Sequence, residues 1–178
     1  LRQRFYFAKE KGLDYPSGAV KLLIHIIKVT MLFEAMGFVP LFLAFASEMP
    51  IGRAFFAAVF HSISAFCNAG FSLFSNNLES YSNTFITPGA VMFLIVFGGL
   101  GYPFYMELTS RMKTERKLTP YIKLVILVTV CLILFGTLSF LLVEWNRSLT
   151  GLSPSLKIWN ALFMSITPRT AGFDTIAP

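Results

Sequence analysis

Residues 124–143 form a run of twenty residues without a charge, bounded by Lys123 and Glu144. A helix rises about 1.5 Å per residue, so a run of this length covers the roughly 30 Å of hydrocarbon in a bilayer. Lipid offers no hydrogen bonds to the backbone, and a single apolar segment satisfies its own peptide groups only as a helix. The run therefore predicts a membrane-spanning helix.

Composition supports a membrane protein. The 178 residues are 55% hydrophobic and 13% charged, whereas soluble domains carry about a quarter charged residues. The net charge of +6 comes from basic residues at the ends of apolar runs, so it indicates topology rather than nucleic-acid binding. Cys67 and Cys131 lie far apart in separate apolar segments and support neither a disulfide framework nor a metal cluster.

Two more spans are predicted. Residues 80–106 are uncharged, and their apolar centre contains Gly98, Gly99, Gly101 and Pro103, which favour a kink or close helix packing. Residues 22–46 are long enough to span, but they contain His25, Lys28 and Glu34. We expect those three side chains to face away from lipid.

Two shorter apolar segments, 54–66 and 156–167, end in polar sequences that contain glycine. Ser153 and Pro154 precede the second segment as a predicted N-cap and first helical residue, and Pro168 ends it. Irregular backbone at membrane depth is tolerated only where protein or water covers it. We therefore predict two half-helices, each followed by a re-entrant loop.

Basic residues cluster before the first span and between the second and third. They are Arg2, Arg4, Lys9, Lys11 and Lys21, then Arg111, Lys113, Arg116, Lys117 and Lys123. The positive-inside rule places both clusters in the cytoplasm. The half-helices are then expected to enter the membrane from outside.

The chain repeats at an offset of 102 residues, which superposes residues 21–24 on 123–126 and Ala-Gly-Phe 69–71 on Ala-Gly-Phe 171–173. Each unit comprises a helix, a half-helix, a glycine loop and a second helix. Units that point the same way can bring their loops to one axis, where backbone carbonyls replace the hydration shell of a cation. Glycine permits the unusual backbone conformations that such loops need.

Four stretches of the chain form a distinctive series: FHSISAFCNAGF at 60–71, GGLGYP at 98–103, LVEWN at 142–146 and SITPRTAGF at 165–173. In these stretches the chain resembles the Trk/Ktr/HKT cation-transporter superfamily, and most of all the membrane subunits of bacterial Ktr potassium-uptake systems. The resemblance implies an all-α membrane protein with four pseudo-symmetric repeats of helix, re-entrant pore helix with filter loop, and helix. The chain would be a fragment holding about one and two-thirds repeats.

The resemblance also implies the expected segment bounds. A cytoplasmic linker 1–19 precedes a complete repeat, 20–108, which consists of helix 20–47, pore helix 54–66, filter 67–72 and helix 84–108. A cytoplasmic loop 109–119 follows. The partial repeat 120–178 consists of helix 120–145, pore helix 154–167 and filter 168–174.

By this resemblance the backbone of eight residues would coordinate the ion: Cys67, Asn68, Ala69, Gly70, Arg169, Thr170, Ala171 and Gly172. Phe71, Phe173 and Glu34 would support the filter. The ion would be potassium or sodium, with no covalent cofactor. The implied partners are membrane lipid, a second copy of the chain and a cytoplasmic nucleotide-binding regulatory subunit. The implied location is the cell membrane.

Several interpretations stay open at this point. Asn68 and Thr170 either hold their loops by hydrogen bonds or touch the ion. Glu34 is expected in a polar network behind the pore helices, with Arg169 as a candidate partner. A non-conducting membrane scaffold is the alternative from another class.

Catalysis is disfavoured, although His61, Ser62 and Cys67 include the residue types of a hydrolase. Adjacent helical residues diverge, and no acidic residue in the segment orients His61. The glycines at 98–101 lack the Lys-Ser/Thr ending of a phosphate-binding loop. Helix packing is the better interpretation of these glycines.

Overall fold

The computed structural model describes residues 16–111, 119–169 and 171–176, with backbone only for 16–19, 109–111 and 169. All regular structure in these ranges is helical. Six α-helices follow one another: α1 Pro16–Ala46, α2 Ile51–Phe66, α3 Ile86–Gly99, α4 Tyr102–Arg111, α5 Pro120–Glu144 and α6 Pro154–Ile166. Glu79–Tyr81 and Thr167–Arg169 form short 3-10 turns. The expected cytoplasmic linker 1–19 and loop 109–119 lie largely outside the described residues.

Two helices are long and apolar enough to cross a membrane, Val20–Ala46 within α1 and Pro120–Glu144 as α5. The ends of α5 follow from its sequence. Thr119 is the N-cap and accepts a hydrogen bond from the backbone N–H of Ile122, while Pro120 occupies the first turn, where a missing N–H does no harm. Nearly every large side chain of α5 is exposed, as suits a helix whose surroundings are apolar.

The segment 84–108, expected as one helix with a kink or close packing at its glycines, is divided into two helices that together are long and apolar enough for one broken span. The segment forms α3 and α4, which meet at a break after Gly99 with an angle of 88° between them. Gly101 lies in the break with a φ of +79°, a left-handed conformation that favours glycine. The glycine-rich stretch therefore ends α3 rather than only bending it.

The helices differ from their predicted bounds mainly at the N-terminal ends. The first half-helix was expected from residue 54, but α2 begins at Ile51 because Pro50, with an extended ψ of 140°, serves as its N-cap. The second half-helix, α6, begins at Pro154 after Ser153 as anticipated. The hydroxyl of Ser153 makes no capping bond to the backbone and lies 3.2 Å from that of Ser155.

The chain divides into two units at Leu32 and Phe33, inside α1. The first unit contributes only the described N-terminal part of α1. Within the second unit, the core includes Leu41 and Phe45 of α1, Leu94 of α3 and Phe163 of α6, all with no exposed surface. Each half-helix thus buries one face in the core, while its other face, which includes Phe56 in α2 and Ile158 in α6, is exposed.

Small residues explain how α2 packs. Its buried side chains are Ala54, Ala57, Ala58, His61, Ser62, Ser64 and Ala65. Small side chains let helix backbones approach closely in a membrane protein, and α2 packs against α3 along this face. The other half-helix, α6, packs against both α5 and α3.

Hydroxyl groups fasten each half-helix to the long helix before it. Ser62 Oγ of α2 donates to the backbone oxygen of Glu34 at 2.6 Å, and Ser165 Oγ of α6 donates to that of Ile133 at 2.8 Å. A Cβ built on Gly136 of α5 would lie 3.2 Å from Ser165 Cβ, so this helix pair is in close contact. Both repeats therefore hold their half-helices by the same kind of bond.

Candidate functional site

The first glycine loop begins where α2 ends. Cys67 caps the helix in a helical conformation, and its N–H donates to the oxygen of Ile63 at 2.9 Å. Asn68 then adopts a φ of +54° and Gly70 a φ of +72°. Asparagine and glycine are the residues that most readily enter this left-handed region. The sequence therefore suits a chain that leaves the helix sharply and exposes its peptide groups.

The second glycine loop follows the turn Thr167–Arg169 after α6. The N–H of Ala171 donates to the oxygen of Thr167 at 2.9 Å, and Gly172 has a φ of +72°. Thr170 lies outside the described residues, as does the side chain of Arg169. Gly172 thus has the same φ as Gly70, which stands 102 residues earlier in the sequence.

Each loop is tied back to its half-helix by a hydroxyl group. Ser64 Oγ donates to the carbonyl oxygen of Phe71 at 2.8 Å, and Thr167 Oγ1 donates to that of Phe173 at 2.6 Å. Phe173 is 1% exposed, whereas Phe71 is 69% exposed. Phe173 therefore anchors its loop in the core, while the Phe71 side chain lies on the described surface and holds its loop only through its backbone.

The two loops touch. A Cβ built on Gly70 would lie 2.7 Å from the carbonyl carbon of Ala171 and closer still to its oxygen. A Cβ built on Gly172 would lie 3.7 Å from the Cα of Gly70, an ordinary contact. The structure therefore brings together Gly70, Ala171 and Gly172, which are far apart in sequence.

Three peptide oxygens of the two loops accept no hydrogen bond within the described part of the chain. They are the oxygens of Ala69 and Gly70 and that of Ala171, which packs against Gly70. The C-terminal ends of α2 and α6 precede the loops, and a helix carries about half a negative charge at that end. This arrangement suits a desolvated monovalent cation, which takes backbone oxygens in place of water.

Asn68 donates from its amide Nδ2 to the carbonyl oxygen of Phe66 at 3.3 Å. This contact ties the start of the loop to Phe66, the last residue of α2. Gly98 of α3 packs against the same place, since a Cβ there would lie 2.8 Å from the carbonyl carbon of Phe66 and 3.1 Å from Asn68 Nδ2. The lack of a side chain at Gly98 thus allows α3 to support the base of the first loop.

Glu34 lies on α1 and is partly buried. It contacts the half-helix through its backbone oxygen, which accepts the Ser62 hydroxyl. The expected partner, the side chain of Arg169, lies outside the described residues.

His61 is fully buried in α2. Its Nδ1 lies 2.7 Å from the oxygen of Ala57 and its Nε2 lies 3.0 Å from the hydroxyl of Ser72. Ser62 bonds instead to α1, so its hydroxyl does not meet the imidazole. The hydroxyl that meets the imidazole is therefore that of Ser72, and Ser62 does not pair with His61.

Asn77 and Asp174 are two residues of the site that sequence reasoning missed. Asn77 Nδ2 donates to Asp174 Oδ1 at 3.0 Å and to the carbonyl oxygen of Gly172 at 3.3 Å. Burial raises the pKa of the Asp174 carboxyl. Asp174 could have been suspected because it follows Ala-Gly-Phe directly, but no sequence signal pairs it with a residue 97 positions earlier.

Comparison with known proteins identifies a family and several relatives. Residues 9–177 match a protein-family model, TrkH, described as a cation transport protein. The chain is 33% identical over 174 residues to the potassium/sodium uptake protein NtpJ of Enterococcus hirae, covering 97% of this chain and 38% of that protein.

Two further relatives are Ktr system potassium uptake proteins B. The one from Vibrio alginolyticus is 33% identical over 99% of this chain and 39% of its own length. The one from Bacillus subtilis is 32% identical over 94% of this chain and 38% of its own length. The chain therefore spans about two fifths of the length of these curated relatives.

Proposed function

Because the chain belongs to the TrkH family of cation transport proteins, we propose that it supplies two loops of a potassium-selective filter in a membrane uptake system. The observation that carries this proposal is the contact between the two glycine loops. Gly70 and Gly172 share a φ of +72°, and Gly70 abuts the Ala171 carbonyl. Two like loops that end half-helices and meet at one place are the parts from which a carbonyl filter is built.

The filter would work without covalent chemistry. A cation that enters between the loops loses water and gains peptide oxygens, among them those of Ala69, Gly70 and Ala171. Each oxygen carries only a partial charge, so the ion is bound strongly enough to enter and weakly enough to leave. Cys67 and Asn68 would contribute backbone oxygens at the inner end of the first loop, and Arg169 and Thr170 those of the second.

Potassium is the favoured ion, and sodium is the alternative. The Ktr relatives are named for potassium uptake, while the Enterococcus relative is named for potassium and sodium. Selectivity depends on the whole ring of oxygens, and this chain supplies two loops. The choice between the ions therefore needs a measurement on the complete polypeptide.

The proposal also gives an orientation and an assembly. The basic residues at both ends of the first repeat favour a cytoplasmic location for residues 1–19 and 109–119. The glycine loops would then open toward the outside of the cell membrane. The Ktr relatives are named as proteins of a system, and by family resemblance the proposed assembly is a homodimer that binds a cytoplasmic nucleotide-binding regulatory subunit.

The test is cation uptake by the complete polypeptide in cells that lack their own potassium-uptake systems. Gly70→Val should abolish growth at low potassium and rubidium uptake, because the new side chain enters the contact with Ala171. Gly52→Val is the matched control, since Gly52 has no atom within 4 Å of its built Cβ. Gly52→Val should retain uptake.

A membrane scaffold with structural loops predicts a different outcome. In that case Gly70→Val leaves cation uptake unchanged at equal amounts of protein in the membrane. That result would remove the filter from the account.

A further inference from the structure

We propose that Asn77 is a positioning residue that sets the potassium-to-sodium discrimination of the filter, by holding the second glycine loop from the first repeat. The inference rests on the proposed filter and adds a residue outside both Ala-Gly-Phe motifs. Asn77 lies between the first loop and the turn Glu79–Tyr81, on the chain that leaves α2.

Three hydrogen bonds connect this segment to the second loop. Asn77 Nδ2 donates to the Gly172 carbonyl at 3.3 Å and to Asp174 Oδ1 at 3.0 Å. The N–H of Leu78 donates to the backbone oxygen of Asp174 at 3.0 Å. The side chain of Leu78 has no exposed surface, so the segment is anchored in the core. The second loop is thus fixed on both sides of Phe173.

Asn77 is itself held in place from α2. Its φ of +54° is a left-handed conformation that asparagine tolerates. Ser72 Oγ lies 3.3 Å from the oxygen of Asn77 and 3.0 Å from Nε2 of His61, so the hydroxyl stands between the imidazole and Asn77. His61 is fixed in turn by Ala57 and by stacking on Phe74 at 4.8 Å between ring centroids.

The contacts of His61 assign its tautomer. The oxygen of Ala57 can only accept, so Nδ1 carries the proton and Nε2 is the acceptor. The N–H of Leu73 lies 3.4 Å from Nε2 and donates to it. A buried imidazole of the first half-helix therefore orients the segment that carries Asn77.

The bond to Gly172 bears on ion selectivity for two physical reasons. Selectivity depends on the geometry of the carbonyl cage and on the strength of the field that its oxygens produce. A hydrogen bond from Asn77 limits rotation of the Gly172 carbonyl, and it also draws electron density from that oxygen. Loss of the bond changes both the position and the basicity of one filter oxygen.

The side-chain amide of Asn77 is oriented with its NH2 group toward the second loop. Asn77 Oδ1 is buried and has no partner among the described residues. The two protons of Nδ2 carry both side-chain contacts to the second loop. Asn77→Asp has nearly the same shape as the native residue but removes both protons, so it separates hydrogen bonding from packing.

The experiment measures uptake of potassium and sodium by the complete polypeptide in cells without their own uptake systems. Asn77→Asp should lower the ratio of potassium to sodium uptake about tenfold, which corresponds to roughly 1.4 kcal/mol. Asn76→Asp is the control, since Asn76 is exposed and donates to Ser80 Oγ at 2.7 Å instead. It adds the same charge one residue away and should leave the ratio within about twofold of the native value.

A double variant, Asn77→Asp with Asp174→Asn, separates the two side-chain bonds. It restores a donor between positions 77 and 174 but none toward Gly172. We expect the double variant to reverse any loss of protein abundance caused by Asn77→Asp, while the ratio of potassium to sodium uptake stays low. Full recovery of the ratio would overturn the role assigned to the Gly172 bond.

Asn77→Ala provides a second route if Asn77→Asp does not accumulate in the membrane, since it removes the donor without adding charge. The same loss of discrimination is expected. A native ratio in either Asn77 variant overturns the inference. If Gly70→Val abolishes uptake while those variants keep the native ratio, the inference alone fails. If Gly70→Val has no effect, the proposed filter fails.

Discussion

Replacing either loop glycine, Gly70 or Gly172, with alanine should have unequal effects, although the two glycines occupy equivalent places in their repeats. Gly70 and Gly172 both have a φ of +72°. An L residue in that conformation costs roughly 1–2 kcal/mol, and this strain applies to both variants. At Gly70 the new methyl group also comes within 2.7 Å of the Ala171 carbonyl carbon, whereas at Gly172 the nearest atom is 3.7 Å away.

The steric clash of the new methyl group accounts for the difference in destabilisation between Gly70→Ala and Gly172→Ala. Overpacking by a methyl group costs about 1–3 kcal/mol, so Gly70→Ala should lose roughly 2–5 kcal/mol in total. Gly172→Ala should lose only the strain. A difference of 1–3 kcal/mol corresponds to about 5–150-fold in an equilibrium, so we expect Gly70→Ala to reduce rubidium uptake at least about fivefold more than Gly172→Ala.

The assay is initial rubidium uptake at matched protein abundance, with thermal unfolding of the purified protein as the second measurement. Gly151→Ala is the control for strain, because Gly151 has a φ of +87° and no atom within 4 Å of its built Cβ. It should lower stability slightly and leave uptake intact. Equal uptake by Gly70→Ala and Gly172→Ala, or a larger loss with the latter, would refute the reasoning.

Three further predictions follow from single contacts. Gly98→Ala should reduce uptake and stability, because its Cβ meets the Phe66 carbonyl, while Gly99→Ala should be neutral because no atom lies within 4 Å; uptake and unfolding measurements on both variants check this. Tyr81→Phe removes a hydrogen bond of 2.9 Å to Glu48 and should lower the unfolding free energy by about 1–2 kcal/mol in a denaturant titration. Burial raises the pKa of Asp174 in the folded protein, so the unfolding free energy should fall as the pH rises through that pKa. Asp174→Asn should remove this pH-dependent loss, which unfolding midpoints measured between about pH 4 and pH 7 would check.

The fold could be predicted from sequence where a pattern is long or repeated. The uncharged run at 124–143 gave a helix that the structure has as Pro120–Glu144. Ser153 and Pro154 gave the start of α6, because a proline in the first helical turn lacks only an N–H that would be unpaired anyway. The offset of 102 residues paired Gly70 with Gly172, and these two residues share one backbone conformation.

The glycines at 98–101 predicted a kink or close packing, but the angle of 88° between α3 and α4 could not be predicted from the sequence. Uninterrupted apolar character from residue 80 to 106 is compatible with one bent span or with two helices. The outcome depends on contacts far away in sequence, since Phe33 lies 5.0 Å from Phe97 and 5.2 Å from Tyr105 between ring centroids. The hydroxyl of Tyr105 also donates to the oxygen of Phe97 across the break. The sequence around the break does not predict these contacts with residues far away in the chain.

The candidate site was likewise predicted in part. Residue type and repetition indicate which backbone segments form loops, because glycine and asparagine enter left-handed conformations. They do not indicate which side chain holds a loop from another repeat. Asn77 meets Gly172, which stands 95 positions later in the sequence, and only the packed structure brings them together.

Ion density at the glycine loops is the most direct measurement of the central claim. The complete polypeptide should be imaged in potassium and again in thallium or rubidium, whose heavier ions are easier to see. The account predicts one density within bonding distance of the carbonyl oxygens of Gly70 and Ala171, which strengthens with the heavier ion. Density that is absent there in every salt, with side chains or lipid filling the space between the loops, would contradict it.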